Sequence, residues 1–362
     1  MTELEKAREL INETDKEMAR LFEQRLDAVK MVSDYKRAHG LPVEDLIRER
    51  EMIKRNVAAV QNDEYRPYYV NFLQSVVNVS KSYQHRLLDG MRVAYSGVEG
   101  AFAELAAKRI LPQATGVPHG NFAAAYDAVV SGQCDCALLP VENSFNGDVG
   151  KVLDLAFFGP LYVTGVYEAE VVQNLLGVQG ATLADVQQVV SHPQALGQCA
   201  SYIEQHGFTT VEAANTAVAA QQVAEMGQRS VAAIGSEEAG AKFGLVKLDS
   251  HINEKSNNTT RFAMFSTAAK APSKKDNHFI LLFTVKNIAG SLGQAVSVIG
   301  EYGFNLRALK SRPTKELIWE YYFYAEGEGN IGSKEGKAML NELKGYCSHI
   351  KVLGSYEKEV KL

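Results

Sequence analysis

Residues 3–38 read ELEKARELINETDKEMARLFEQRLDAVKMVSDYKRA, a stretch that contains neither Gly nor Pro. Its apolar residues return every third or fourth position, which is the spacing of one face of an α-helix. At 1.5 Å per residue such a helix is about 50 Å long. Residues 1–88 are too few to wrap a rod of that length, so we expect a second copy of the chain to cover its apolar face. Shorter helices are predicted over 44–60 and 66–88, after the break at Gly40-Leu41-Pro42.

The rest of the chain changes character twice. Residues 91–268 alternate β-rich runs, such as MRVAYSG at 91–97, with helical runs, which predicts an α/β domain with parallel strands. After the polar, Pro-containing linker at 268–277, residues 279–362 give the order β-α-β-β-α-β of a ferredoxin-like α+β unit. We therefore predict a multidomain protein with an all-α domain at 1–88, an α/β domain at 91–268 and an α+β domain at 279–362.

Composition excludes several classes of protein. The 362 residues carry 38 Lys and Arg against 43 Asp and Glu, a net charge of −5, and no basic block, so a nucleic-acid partner is not expected. No apolar run approaches the roughly 20 residues that span a bilayer, and the charged N-terminus does not resemble a signal peptide. Four cysteines are too sparse for a disulfide framework or a thiolate metal site, which favours a cytoplasmic protein.

Two cations lie on the apolar stripe of the first predicted helix. Arg25 takes the stripe position after Leu21, and Lys36 returns to the same face. One interpretation is that both long side chains reach out to water. The other is that an anionic ligand meets them, because an unpaired buried charge is costly. Further polar residues on the other two predicted helices favour a cationic pocket with neutral donors inside a bundle; they are Asp45, Arg48, Glu49, Ser80 and Gln84.

Together with Arg8, these residues resemble the functional positions of the intertwined, all-helical type of chorismate mutase. The resemblance implies a dimer in which Arg25 and Arg48 bind substrate carboxylates, joined by Arg8 from the partner chain. It implies that Lys36 and Gln84 donate to the ether oxygen of chorismate, and that the hydroxyl and the framework are served by Glu49, Asp45 and Ser80. The rearrangement to prephenate is pericyclic, so catalysis rests on holding the compact conformer and stabilising charge on the breaking C–O bond.

Neutral polar residues cluster in three strings of the middle segment, LPVENSFNGDV (139–149), VVSHPQALGQC (189–199) and NNTTRFAMF (257–265). Ligands of α/β proteins bind at the carboxyl ends of strands. The strings therefore predict a site built from Asn143, Ser144, Ser191, Gln198 and Thr260. The alternative is that these side chains only cap helices and turns, a role that suits a strand–helix junction such as Ser191.

The three strings together resemble prephenate dehydratases, most specifically through the Thr-Arg-Phe triplet at 260–262. The resemblance implies two α/β lobes of the periplasmic-binding-protein type around a cleft, and loss of CO₂ and water from prephenate to give phenylpyruvate. Thr260 would orient the departing ring hydroxyl, since a neutral threonine is too weak an acid for full proton transfer. The implied substrate contacts are Glu142, Asn143, Ser144, Ser191, Gln198, Arg261 and Phe262.

Two positions in this segment, Arg261 and Ala101, do not follow directly from the resemblance. Arg261 has two interpretations, as the partner of a substrate carboxylate or as part of a salt bridge between the lobes. Ala101 stands where the family commonly has a hydroxyl residue, so one expected hydrogen bond is missing.

The C-terminal segment contains G-x-G-x-x-G at Gly327, Gly329 and Gly332, which superficially matches a dinucleotide-binding fingerprint. The surrounding β-α-β-β-α-β order favours a Gly-rich loop or hairpin. The segment resembles an ACT regulatory domain, through the strings at 287–292 and 310–313, although Lys310 stands where the family usually has Glu. The resemblance implies that phenylalanine binds at a dimer interface, in contact with Gly290, Ser291, Leu292, Asn305, Leu306, Ser311 and Arg312.

The sequence is thus identified as a member of the bifunctional chorismate mutase/prephenate dehydratase family. We expect chorismate and prephenate as substrates, phenylalanine as effector, no cofactor or metal, and a homodimer or larger homo-oligomer. One alternative is a two-lobed ligand-binding module whose helical domain only dimerises. A second joins the mutase to a prephenate dehydrogenase, which would require a dinucleotide-binding fold.

Overall fold

The computed structural model describes residues 2–254, 258–314 and 320–362. Residue 257, the first of the string 257–265, lies outside these ranges. So do residues 318 and 319, with which the strand that the sequence IWEYYFYAE predicts over 318–326 begins. No helix in the described part of the chain is long and apolar enough to cross a membrane.

The chain divides into two compact units. The first consists of Met1–Arg92 with Gln113–Thr115 and Ser131–Asp135, and the second of the remaining residues up to Leu362. The first unit contains the helices α1 (Glu3–His39), α2 (Leu46–Ala58) and α3 (Arg66–Asp89).

Local signals explain where these helices begin and end. Thr2 caps α1 in a capping box with Glu5, and Gly40 ends it in the left-handed conformation with φ 62°. The predicted helix over 44–60 is shorter than expected, because Asp45 lies before α2 as its N-cap and accepts the N–H of Arg48 at 3.0 Å. Asp45 therefore does not share a helical face with Arg48 and Glu49, as its spacing had suggested.

Helix α1 leaves most of its apolar stripe exposed within one chain. Its buried residues are Val29 and Ser33, whereas Leu10 is 65% and Ile11 58% exposed. Isolated exposed apolar residues are common, but a row of them along one helix is typical of an interaction surface.

The second unit begins with two sheets and their covering helices, which form the two lobes of an α/β structure. The elements of the first lobe are β1 (Arg92–Ser96), α4 (Phe102–Ile110), β2 (Thr115–His119), α5 (Phe122–Val130), β3 (Cys136–Asn143), β4 (Gly147–Asp148), α6 (Gly150–Phe158) and β5 (Tyr162–Glu170). The second lobe contains β6 (Asn174–Gly177), β7 (Gln188–Ser191), α7 (Pro193–Gln198), α8 (Ala200–His206), β8 (Thr209–Glu212), α9 (Thr216–Met226), β9 (Val231–Gly235), α10 (Glu237–Lys242) and β10 (Val246–Asp249), after which β11 (Thr259–Ser266) returns to the first lobe.

Strand order brings the predicted strings together. The second lobe has the order β10-β6-β9-β7-β8, with β7 parallel to both β8 and β9. In the first lobe β3 lies between β1, to which it is parallel, and β11, to which it is antiparallel. In that register Thr260 is directly opposite Asn143. The chain passes between the lobes after β5 and again before β11, so both crossings lie beside these two residues.

The C-terminal segment has the predicted β-α-β-β-α-β order. Its elements are β12 (His278–Val285), α11 (Ser291–Glu301), β13 (Asn305–Pro313), β14 (Tyr321–Glu328), α12 (Lys334–Leu343) and β15 (Cys347–Tyr356), and its sheet order is β13-β14-β12-β15. Phe279, Phe283 and Ile299 are among the buried residues of its core. Gly327 lies within β14, where the ring of Phe279 fills the space that a side chain would need.

The last strand does not stay with this sheet. β16 (Val360–Lys361) pairs in parallel with β5, at the edge of the first-lobe sheet. The predicted boundary at residue 279 therefore does not separate two independent bodies, because the end of the chain is a strand of the first-lobe sheet.

Candidate active sites

The helical unit holds the guanidinium of Arg25 between α1 and α3. Its Nη1 donates to the hydroxyl of Ser80 and lies 3.5 Å from the carbonyl oxygen of Val76, to which Ser80 Oγ also donates at 2.7 Å. Burial lowers the pKa of Arg25, which records the cost of desolvating its charge. The side chain is half-buried and bonded to α3, which favours the second interpretation, an anionic ligand, for Arg25.

Lys36 is the second half-buried cation of this unit. Its Nζ donates to the carbonyl oxygen of Val43 at 2.6 Å. Within residues 2–92 and the rest of the described chain, neither Arg25 nor Lys36 has a carboxylate partner. Gln84 is 8% exposed, and its Oε1 has no hydrogen-bond partner among the described residues. Two cations with neutral partners, beside an unsatisfied amide, form a place for an anionic and polar ligand.

A carboxylate also faces this part of the bundle. Glu49 Oε2 is 3.2 Å from Nζ of Lys81, and both side chains are largely buried. Lys81 was not predicted from the sequence, where it follows Ser80 as an ordinary helical lysine. Its partner lies 32 positions earlier in the chain, which no local pattern indicates.

Two predicted residues are not brought to this pocket within one chain. Arg48 and Arg8 are exposed. Arg8 precedes Arg25 by seventeen residues on the same helix, about 25 Å along its axis. Within one chain Arg8 therefore lies too far along α1 to reach Arg25.

In the α/β lobes, Asn143 is the centre of a hydrogen-bond cluster at the end of β3. Its Oδ1 accepts the backbone N–H groups of Phe145 and Asn146, both at 3.1 Å. Its Nδ2 is 3.0 Å from Thr260 Oγ1 and 3.0 Å from Asn258 Oδ1. Because Thr260 accepts from Asn143, its own O–H is directed elsewhere and is available to a substrate.

Ser144 secures the same strand end. Its Oγ accepts the backbone N–H of Thr259 and its N–H donates to the carbonyl oxygen of Thr259, both at 2.9 Å. The pairing of these two backbones holds β3 and the start of β11 in register, so Ser144 acts here on structure and its predicted substrate contact remains a prediction.

The second lobe supplies Ser191 and Gln198, both buried. Ser191 Oγ donates to the carbonyl oxygen of Ile234 at 2.6 Å, and the cap of α7 is His192, so Ser191 does not have the capping role that was its alternative. Gln198 Oε1 accepts from Gln173 Nε2 at 3.2 Å. Gln173 was missed in the sequence, where it has no motif around it.

Arg261 is paired with three carboxylates of the chain itself. Its guanidinium bonds Glu142 at 2.8 Å, Glu326 at 2.8 Å and Glu359 at 3.1 Å. Burial opposes its charge, but Glu326 and Glu142 outweigh that cost and raise the pKa of Arg261. Glu142 lies in the same sheet and the other two carboxylates in the C-terminal segment. The expected salt bridge therefore does not join the two lobes.

Neighbouring residues of a strand point to opposite faces of the sheet, which separates Arg261 from Thr260 and Phe262. Phe262 is buried in the core. Glu142 is bonded by Arg261 on one oxygen and lies 3.2 Å from Lys310 on the other. Burial raises the pKa of Glu142, but these two cations outweigh burial and hold it below its usual value.

The residues predicted for an effector lie apart within one chain. Gly290 caps α11 with φ 85°, and Asn305 and Ser311 stand near opposite ends of the nine-residue strand β13, roughly 20 Å apart. Arg312 is occupied by Asp154, with Nε–Oδ1 2.7 Å and Nη2–Oδ2 3.0 Å. β13 is at the edge of its sheet, where a second copy could complete the arrangement. The described residues contain no group of three or more His, Cys, Asp or Glu that could hold a metal ion.

Comparison with known proteins finds a family for the helical unit and another for the α/β lobes. The family model of type II chorismate mutases matches residues 7–85, and that of prephenate dehydratases matches residues 93–270. A bifunctional chorismate mutase/prephenate dehydratase of Aquifex aeolicus is 28% identical over 99% of this chain and 99% of its own length. Arogenate dehydratase/prephenate dehydratase 2 of Arabidopsis thaliana is 31% identical, over 74% of this chain and 72% of that protein.

The second unit is also similar to a solved structure of a prephenate dehydratase. Prephenate dehydratase from Arthrobacter aurescens, in complex with L-Phe, is 25% identical with a TM-score of 0.69, covering 74% of this chain and 90% of that one. With a mutase model on its helices and a dehydratase model on its lobes, the chain belongs to the bifunctional chorismate mutase/prephenate dehydratase family.

Proposed function

We propose that the chain rearranges chorismate to prephenate in its helical unit and converts prephenate to phenylpyruvate in its α/β lobes, two steps of phenylalanine biosynthesis. The observation that carries the first step is the pair Arg25 and Lys36, half-buried cations whose described partners are neutral. A substrate with two carboxylates offsets the cost of holding these charges in the bundle.

The mutase needs positioning and electrostatics but no covalent group. Arg25 and its partner Ser80 are fixed by Val76, so the guanidinium is preorganised for a carboxylate. Lys36 and the amide of Gln84 stabilise the oxygen on which charge develops as the C–O bond breaks. Lys81 holds Glu49 in place for the substrate hydroxyl.

The dehydratase step is supported by the contact of Asn143 with Thr260. The Asn143 amide donates to Thr260 Oγ1 and leaves the threonine O–H free to donate to the ring hydroxyl as it departs. Loss of CO₂ supplies the electron pair and aromatisation drives the step. Ser191 and Gln198 come from the other lobe, and closing the cleft would bring them to the substrate.

We infer in addition that the C-terminal segment is an ACT domain that takes phenylalanine between two copies of the chain. Support comes from the β-α-β-β-α-β order, the free edge of β13 and the complex with L-Phe reported for the Arthrobacter protein. The N-terminus of α11, with Ser291 as its first residue, suits the carboxylate of an amino acid. Isothermal titration with phenylalanine tests this inference, and absence of heat would remove it.

The two activities are tested by giving the purified chain chorismate without cofactors and following prephenate and phenylpyruvate over time. Arg25→Ala should lower chorismate turnover by about 10²–10³-fold and leave prephenate turnover unchanged. Thr260→Ala should do the converse, while Thr260→Ser, which keeps the hydroxyl, should retain most of the rate. Equal damage to both steps by either alanine variant would contradict separate sites, and a chain that binds both compounds without turnover would favour the ligand-binding module.

A further inference from the structure

In the hydrogen-bond cluster at the end of β3, the orientation of the Asn143 side-chain amide determines the orientation of the Asn258 amide. Two backbone N–H groups donate to Asn143 Oδ1, so its Nδ2 must point toward β11. That nitrogen is 3.0 Å from Asn258 Oδ1, which fixes the Asn258 side chain with its oxygen toward Asn143. Asn258 Nδ2 then faces away from Asn143.

The Nδ2 group of Asn258 has no partner among the described residues, although the residue is only 3% exposed. Buried amide donors are almost always hydrogen-bonded, and an exception inside a functional cluster points to a missing acceptor. A second buried amide close by is in the same state. Gln173, 2% exposed, bonds Gln198 through Nε2, and its Oε1 has no partner in the described part of the chain.

The two amides belong to one small region at the crossing between the lobes. The backbone N–H of Val171 donates to the carbonyl oxygen of Asn258 at 2.8 Å, and Asn253 accepts the N–H of Gln173 at 3.1 Å. Arg261, which follows Thr260 in the sequence, is occupied by carboxylates on the other face of the sheet. Asn258 offers a neutral donor beside Thr260, since Asn258 Oδ1 and Thr260 Oγ1 both lie 3.0 Å from Asn143 Nδ2.

We propose that Asn258 is a further substrate-binding residue of the dehydratase, whose Nδ2 donates to a carboxylate oxygen of prephenate beside the group served by Thr260. The proposal rests on the proposed dehydratase function. Its place in the sequence, two residues before Thr260, gave no sign of this role, because the need for an acceptor arises only from the orientation of Asn143.

Asn258→Asp tests the proposal, because it keeps the oxygen that Asn143 requires, removes the N–H donors and adds a negative charge. At pH 7.5 we expect kcat/KM for prephenate to fall at least 100-fold, mainly through KM, with chorismate turnover unchanged. As the pH falls toward the pKa of the introduced carboxyl, its acid form regains a donor, so the variant's kcat/KM should rise relative to the unmodified chain. A merely structural role would not produce that recovery.

The matched control is Asn121→Asp, the same substitution at an exposed residue that accepts a backbone N–H before α5. It should leave kcat/KM and its pH profile unchanged. If Asn258→Asp does not fold, Asn258→Ser, which retains one donor, should lose less than tenfold, and a 100-fold loss there would count against the proposal. An Asn258→Asp variant within threefold of the unmodified chain at pH 7.5 overturns it, whereas no prephenate turnover by the unmodified chain overturns the proposed function itself.

Discussion

Lys310 shows how one side chain adapts the C-terminal segment to its neighbours. Its Nζ bonds Asp148 and lies 3.2 Å from Glu142, both in the first lobe. ACT domains usually have a glutamate at this position. A glutamate here would place its carboxylate beside those of Asp148 and Glu142. In this chain the lysine is matched by acidic partners, and it ties β13 to the strand end that carries Asn143.

This pairing makes a pH-dependent contribution to stability. Glu142 has a pKa below its ordinary 4.5, so its ion pairs stabilise the fold above that value and are lost as pH falls through the lowered pKa. Lys310→Met should lower the free energy of unfolding by about 1 kcal/mol at pH 7. The difference from the unmodified chain should shrink between pH 4.5 and pH 3.5, because Glu142 takes up protons as the pH falls toward its lowered pKa and then favours the lysine less.

Thermal unfolding at the two pH values measures this effect. Lys337→Met, at an exposed lysine of α12, is the matched control and should change neither value. A Lys310→Met deficit that stays the same size at pH 3.5 would show that the stabilisation comes from packing and not from charge.

At the level of single residues, the sequence predicted contacts between strings that resemble a known family. It placed Asn143 and Thr260 in one site although they lie 117 positions apart. It did not predict the environment of Arg261, because Glu326 and Glu359 belong to no such string and lie 65 and 98 positions further along the chain. The unpartnered Nδ2 of Asn258 was not predicted either, since it depends on the orientation of the Asn143 amide.

Among the elements, helix α4 lacks a side-chain hydrogen bond at its N-cap. Ala101 is its N-cap in the extended conformation, with φ −70° and ψ 150°, and provides no side-chain hydrogen bond. The carboxylate of Glu104 accepts the N–H of Gly100 instead. The hydroxyl that the family commonly has at position 101 would therefore lie at the N-cap of α4. Its absence affects the start of this helix.

Ala101→Ser should restore that cap. A serine in this conformation accepts a free N–H of the first turn, and the gain is about 1 kcal/mol, or roughly 2–4 °C in the Tm of the second unit. Differential scanning calorimetry checks the shift. Ala101→Val, which adds volume without an acceptor, should give no gain, and an equal rise for both variants would mean that packing and not capping is responsible.

Most elements that the sequence did not predict are short strands, although the nine-residue helix α6 was missed as well. β8 is exposed at all four of its residues and β10 has four residues, so neither has an apolar pattern long enough to recognise. The sequence PQALGQCASYIEQH predicts a single helix over 193–206, but that helix is broken at Cys199, whose φ of −117° ends α7 before α8 begins. Long periodic segments such as α1 agreed with prediction within a residue.

For the whole molecule, the sequence predicted the order of the segments but not how the chain ends. β16 joins the first-lobe sheet after the C-terminal segment is complete, through two residues that have no distinctive composition. Long-range parallel pairing of this kind depends on the assembled surface. The apolar stripe of α1 is a second feature of this scale, since it is exposed within one chain and Arg8 lies about 25 Å along the helix from Arg25.

The origin of Arg8 can be decided by mixing two inactive variants. Arg8→Ala and Arg25→Ala should each lower chorismate turnover by about 10²–10³-fold when assayed alone. If the partner chain supplies Arg8, a mixed dimer has one site with both arginines intact. After subunit exchange of an equal mixture, about a quarter of the unmodified rate should then return. Arg25→Ala mixed with Lys36→Ala is the control and should stay inactive, since both residues come from one α1. If the first mixture also stays inactive while exchange is demonstrated by labelled chains, each site uses its own Arg8 and the shared-site dimer is wrong.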